Sequence, residues 1–207
     1  MSVSMLPFAD RLTITPEEIL TLPYGGFQGA IRLIDDRRGI RSAIEELSQE
    51  KLLGFDTETR PCFRKGEFHH VALLQLATRD KAWLFRLNKI GLTAEVLELL
   101  SMTGIEKCGI AIRDDLKGLQ KLKPFDPGGF IELATLSRES GLQVEGLRKL
   151  AAILLGIRIS KSSQTTNWEA SVLTDKQIEY AATDAWASLE IYHRLASRLQ
   201  NTTGGEK

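Results

Sequence analysis

Two carboxylates close an apolar run in the segment Gly54-Phe55-Asp56-Thr57-Glu58-Thr59-Arg60-Pro61. Side chains alternate faces along a strand, so Asp56 and Glu58 point the same way and Thr57 the other. Paired acids repel and raise each other's pKa unless a cation stands between them, and oxygen donors select hard divalent ions. Taken alone, the pair reads more readily as a solvated strand end. A second acidic segment, residues 109–119, passes from an apolar strand through a small-residue turn into a helix whose first turn holds Asp114 and Asp115. The helix dipole alone favours acids at that position. A third, Tyr180-Ala181-Ala182-Thr183-Asp184-Ala185, puts a phenol and a carboxylate one helical turn apart. Its alanines leave that helix face open to close approach by another element.

The order carries more than any segment alone: a strand-end Asp-x-Glu, an acid near a helix start, then Tyr-x-x-x-Asp. With these motifs, and with Lys161, Asn167-Trp168-Glu169 and the run from Gln177 to Ala185, residues 28–199 resemble the DEDD superfamily of 3′-to-5′ exonucleases. The resemblance is to the tyrosine subclass, nearest by motif to ribonuclease D and the Werner-syndrome exonuclease domain. It implies a ribonuclease H-like α/β fold, with a mixed five-stranded sheet flanked by helices. It also implies two divalent metal ions, Mg2+ or Mn2+, held by Asp56, Glu58, Asp115 and Asp184. Asp56 would bridge both ions, Glu58 and Asp184 would hold the ion of the attacking water, and Asp115 would serve the other. Asp115 is preferred to Asp114 by its spacing from Gly109 and Ile112, and both are not expected to serve, because consecutive helical residues point about 100° apart.

The implied reaction is metal-dependent hydrolysis of phosphodiester bonds from a single-stranded 3′ end of DNA or RNA, releasing nucleoside 5′-monophosphates. Tyr180 would orient the attacking water, because a phenol with a pKa near ~10 is a poor base at neutral pH. Thr57, Lys161 and Trp168 are the expected substrate contacts. Lys161 belongs to a segment, residues 157–168, that is rich in hydroxyl groups and free of acids, as suits phosphate oxygens or a mobile surface loop. Trp168 suits stacking on a terminal base or packing in the core. Arg60, Arg64 and Lys65 form a second local basic segment. A catalytically silent nucleic-acid-binding module of the same fold is the alternative. The retention of four acids and a tyrosine argues against it.

Interleaved strands and helices must position these groups. Strands are predicted over residues 30–34, 52–57, 70–77, 82–87 and 105–108, the third and fourth as a hairpin. Helices are predicted over 38–49, 93–102, 112–121, 131–140 and 146–155, and from the Thr174/Gln177 capping box to about residue 200. Thr15-Pro16-Glu17-Glu18 has capping-box form, which predicts a short helix inside an N-terminal leader, residues 1–27. An exonuclease domain over 28–200 and a polar tail over 201–207 complete the expected organisation.

Composition narrows the remaining classes. The 207 residues carry 27 basic and 27 acidic side chains, which disfavours a coat-like binder working by phosphate neutralisation. Two cysteines and three histidines cannot build a disulfide framework or a convincing zinc site. A phosphate-cradling GxxxxGK[ST] loop and a serine elbow are both absent from the sequence, which disfavours an NTPase or a serine hydrolase. Pro7, Asp10 and Arg11 interrupt any export signal, and no apolar run could span a bilayer, so a cytoplasmic protein without membrane contact is expected. With the chain stopping soon after its last helix, an accessory nucleic-acid-binding partner or a homo-oligomer is expected to add grip on substrate.

Overall fold

The structure is a computed structural model that describes residues 6–203; the first five residues of the leader and the last four of the polar tail lie outside the described residues. Six strands form one mixed sheet: β1 (Ala30–Ile34), β2 (Leu52–Thr59), β3 (Val71–Ala77), β4 (Lys81–Phe85), β5 (Glu106–Gly109) and β6 (Phe130–Glu132), in the order β1-β4-β3-β2-β5-β6. β2, β3 and β4 run antiparallel to one another in succession, while β1 joins β4, β5 joins β2 and β6 joins β5 in parallel. The eight helices of the described chain are α1 (Pro16–Thr21), α2 (Arg38–Leu47), α3 (Leu87–Ile90), α4 (Ala94–Ser101), α5 (Ile112–Leu122), α6 (Leu133–Glu139), α7 (Leu147–Leu155) and α8 (Asp175–Thr203).

Every residue of β3 is buried, which accounts for its unbroken apolar run: both faces of the sheet are covered. Ile40, Ala43 and Leu47 of α2 and Val96 and Leu99 of α4 pack against Phe55, Leu74 and Leu76 on one face. The opposite face presents Leu73, Ala77 and Leu84 to Ala181, Ala182 and Ala185 of α8. Thr174 and Gln177 cap α8 reciprocally: the Thr174 N–H donates to Gln177 Oε1 at 3.0 Å and the Gln177 N–H to Thr174 Oγ1 at 3.3 Å. This fixes where the 29-residue helix begins, and hence which of its residues meet the sheet.

The sheet has one strand more than the resemblance implies. β6 occupies the first residues of the helix predicted over 131–140, which starts only at Leu133. Its three residues sit parallel to β5, where the Phe130 ring meets Phe55 edge-on at 5.1 Å and lies 5.1 Å from the Lys107 ammonium. A run this short has no periodicity that separates strand from helix, so tertiary contact decides it. The leader also packs closely: Ile14, Ile19 and Leu22 are buried in the cluster formed by α7 and α8. The Gln143 N–H donates to the Leu12 carbonyl at 2.8 Å, and the predicted Thr15/Glu18 capping box opens α1. Among the described residues no helix is long and apolar enough to cross a membrane.

Helix α8 approaches the sheet tightly at Gly54. A Cβ built there would stand 1.8 Å from the Ala185 carbonyl oxygen, so only glycine admits α8 at this height. Gly54→Ala should therefore cost about 3 kcal/mol or more through overpacking, read as a lowered denaturation midpoint. Gly104→Ala, at a site open to solvent space within 4 Å, should shift the midpoint by less than about 0.5 kcal/mol. Equal stability of the two variants would contradict this account of the β2–α8 contact.

Candidate active site

β2 ends by carrying Asp56 and Glu58 on the face that α8 covers, and α8 brings Asp184 over them. Asp56, Glu58 and Asp184 each offer a carboxylate oxygen within 4.8 Å of the others. The donor set is all oxygen and anionic, which fits a hard divalent cation and suits zinc or a redox metal less well. Glu58 and Asp184 are buried, at 9% and 6% exposure, so the charges cannot be relieved by solvent.

Asp115 arrives from the opposite face. β5 ends at Gly109, where a Cβ would stand 2.7 Å from the Phe55 carbonyl oxygen, and Ala111 turns the chain with φ of 58°. Ala111 is the only non-glycine residue with positive φ among the described residues, a strained geometry beside the site. The turn is held by Glu132, which sequence reasoning missed. Its carboxylate accepts from the N–H groups of Ala111 at 3.2 Å, Ile112 at 3.0 Å and Ala134 at 3.1 Å, and so ties the starts of α5 and α6 together. In the resulting position Asp115 accepts a 2.5 Å hydrogen bond from Thr57 Oγ1, while Asp114 points outward to Lys117 at 3.0 Å. Thr57, expected at the substrate, thus has its hydroxyl engaged with an acid of the site, although it also lines the cleft.

Electrostatics follow from this crowding. Burial pushes the Asp56 carboxyl well above the ordinary carboxylate range, and the charges of Asp184, Asp115 and Glu58 push it further. Glu58 rises to about 9 through burial and then through repulsion from Asp184 and Asp115. Asp115 and Asp184 rise to about 7, again mainly by burial; the Thr57 hydrogen bond holds Asp115 down, and Tyr180 and the Arg148 cation hold Asp184 down. Burial and the nearby carboxylates drive the Tyr180 phenol upward too, so it stays protonated, with Asp184 as its hydrogen-bond acceptor.

Asp56, Thr57, Glu58, Tyr180 and Asp184 line a cleft of about 730 Å³, together with Gln143, Arg148, Lys149, Lys161 and Gln164. Arg148 and Lys149 come from the start of α7, where the sequence offered no distinguishing signal beyond their charge. Trp168 is not in the cleft. It is fully buried, with its ring centroid 6.0 Å from that of Tyr180, so the stacking role expected for it is corrected to packing behind the tyrosine. The segment around it is tied down: Arg86 donates to the carbonyls of Ala170 and Ser171, Gln177 Nε2 donates to the Asn167 carbonyl at 3.3 Å, and Arg60 pairs with Glu169 at 3.3 Å.

The sequence profile of the 3′-5′ exonuclease family matches residues 31–200. A bifunctional 3′-5′ exonuclease/ATP-dependent helicase, WRN, of Mus musculus is 34% identical over 188 residues, which cover 85% of this chain and 13% of that protein. Ribonuclease D of Haemophilus influenzae is 29% identical over 174 residues, 83% of this chain and 43% of that one. The chain therefore spans less than half the length of either. Among solved structures, the EXO domain of Aedes aegypti Nibbler superposes with a TM-score of 0.78 at 23% identity, covering 86% of this chain and 94% of that one. The mixed sheet and its flanking helices are thus the ribonuclease H-like fold, one strand count apart from expectation.

Raised folded-state pKa values make the metal-free site a pH-dependent burden. Carboxyls with ordinary values of 3.8 and 4.5 lose their protons in the unfolded chain first, so the stability they allow is fully present below pH about 4. It is lost as pH rises through about 7 for Asp115 and Asp184 and about 9 for Glu58. Thermal melts in EDTA should therefore fall steadily from pH 5 to pH 9, more shallowly in Asp184→Asn, and millimolar Mg2+ or Mn2+ should restore the midpoint at pH 8. A flat wild-type profile in EDTA would overturn this reading of the cluster.

Proposed function

The chain belongs to the 3′-5′ exonuclease family, and from that membership we propose that it is a metal-dependent nuclease that removes nucleotides from the 3′ end of single-stranded DNA or RNA as nucleoside 5′-monophosphates. The observation that carries the proposal is the convergence of Asp56, Glu58 and Asp184 within 4.8 Å, with Asp115 held against Thr57 beside them. Four clustered carboxylates, two of them buried, lower stability unless cations neutralise them, so a merely binding module gains nothing from keeping them.

Asp56, Glu58, Asp115 and Asp184 would hold two divalent ions, Mg2+ or Mn2+. When bound, such ions supply Lewis acidity at both the attacking and the leaving oxygen of an in-line displacement at phosphorus. The chain's own groups do the rest. Asp56 shares its site with Glu58 and Asp184 and feels the charge of Asp115 as well, which supports the reading that it would serve both ions. Thr57 fixes the Asp115 rotamer through its hydroxyl. Tyr180 keeps its proton and is oriented by Asp184 in front of and Trp168 behind its ring, which suits it to position a water rather than to deprotonate one. Arg148, Lys149 and Lys161, on the cleft wall, suit contacts to phosphate oxygens. A separate nucleic-acid-binding partner or a second copy would extend the grip on longer strands.

Oligonucleotides of DNA and RNA labelled at the 3′ end test this directly. Label should be released with Mg2+ or Mn2+ and retained in EDTA. Asp115→Asn should slow release by about 100-fold, whereas Asp114→Asn, on the exposed side of the same turn, should stay within about twofold of wild type. Tyr180→Phe should lower kcat by about 10- to 100-fold with Mn2+ affinity unchanged. Failure of the wild type to release label from either polymer would favour the silent binding module.

A further inference from the structure

Gln75 lies in the middle of β3 with no solvent exposure, and neither its amide nitrogen nor its amide oxygen has a hydrogen-bond partner. Among the described residues it is the one buried side chain with two polar atoms left unpaired. Buried polar groups nearly always find partners, and a methionine would fill similar volume without leaving an amide unpaired. The position is specific. In the β2–β3 ladder Gln75 stands directly opposite Asp56, and in the β3–β4 ladder opposite Leu84. Residues directly opposite in an antiparallel pair share a face, with Cβ atoms about 5 Å apart, and a glutamine amide reaches well past its own Cβ. Leu73, Ala77 and Leu84, which share that face, pack against α8. The amide is thereby enclosed in the layer that also holds Asp56 and Asp184. Among the described residues no side-chain hydrogen bond reaches Asp56.

We infer that Gln75 is a positioning residue for Asp56: with a cation bound, its amide N–H would donate to an Asp56 carboxylate oxygen and so hold in place the carboxylate that already converges with Glu58 and Asp184. This rests on the metal-dependent reading above. The unpaired amide of the metal-free protein is the cost of a donor that is used when the carboxylates are ionised around a cation. Gln75 touches no substrate in this scheme and acts through Asp56 alone.

Gln75→Met and Gln75→Leu, which fill the site without a donor, separate this role from simple packing. Melts in EDTA should give a midpoint equal to or above that of the wild type. Calorimetric titration with Mn2+ should give an affinity about tenfold weaker, the usual penalty for losing a partner of a metal ligand. In the wild type, the side-chain amide signals of Gln75 in a 15N-labelled sample should shift on addition of Mg2+. Wild-type Mn2+ affinity in a folded Gln75→Met protein would overturn the inference. Should both variants fail to fold, Gln75 amide signals indifferent to Mg2+ would overturn it equally. If the wild type binds no Mn2+ and matches Asp56→Asn, the metal reading itself falls and takes this inference with it.

Discussion

The Ala185 carbonyl oxygen stands where any side chain on residue 54 would have to be, and this contact sets the height of α8 above the central strand. Everything at the site depends on that height. Asp184 precedes Ala185 by one residue, and Asp56 follows Gly54 by two, so the backbone approach at the glycine is what carries one carboxylate to the other. The alanines at 181, 182 and 185 keep the rest of the helix face as low. A larger residue at any of these places would separate the acids while leaving the fold's outline unchanged.

Holding anions this close is unfavourable, and the structure distributes the compensation over several elements. Arg148 supplies a cation from α7 and Tyr180 a hydroxyl from one turn back on α8, both acting on Asp184. Thr57 supplies a donor to Asp115 from the far face of β2. Glu132 draws the starts of α5 and α6 together and so fixes the turn that delivers Asp115, though its own charge adds to the repulsion there. What these contacts leave uncompensated shows as the raised carboxyl pKa values of the cluster. Burial is the larger cause and mutual repulsion the smaller, and a divalent cation would relieve both.

Much of this was legible along the chain. The alternation of Asp56, Thr57 and Glu58 correctly put two acids on one face, and the four-residue spacing put Tyr180 with Asp184. Spacing from Gly109 and Ile112 sets Asp115 apart from Asp114, and in the structure Asp115 meets Thr57 of β2 while Asp114 meets Lys117. Both capping boxes open helices where their residues stand. Trp168 went the other way: an aromatic beside a basic segment suggests stacking, but its neighbours Asn167 and Ala170 are anchored by Gln177 and Arg86, which pulls the ring under Tyr180.

Residue type, strand alternation and helical spacing act over a few residues, so the acidic segments and the local elements that bear them could be read along the chain. Long-range packing makes β6 a strand, lets Glu132 bridge two helix starts, brings Arg148 to Asp184 and sets Gln75 opposite Asp56. Each of these joins groups separated by about twenty residues or more along the chain. Their pairing follows from strand register, from the depth of packing at Gly54 and from the burial of charge, none of which is a property of a local stretch of sequence.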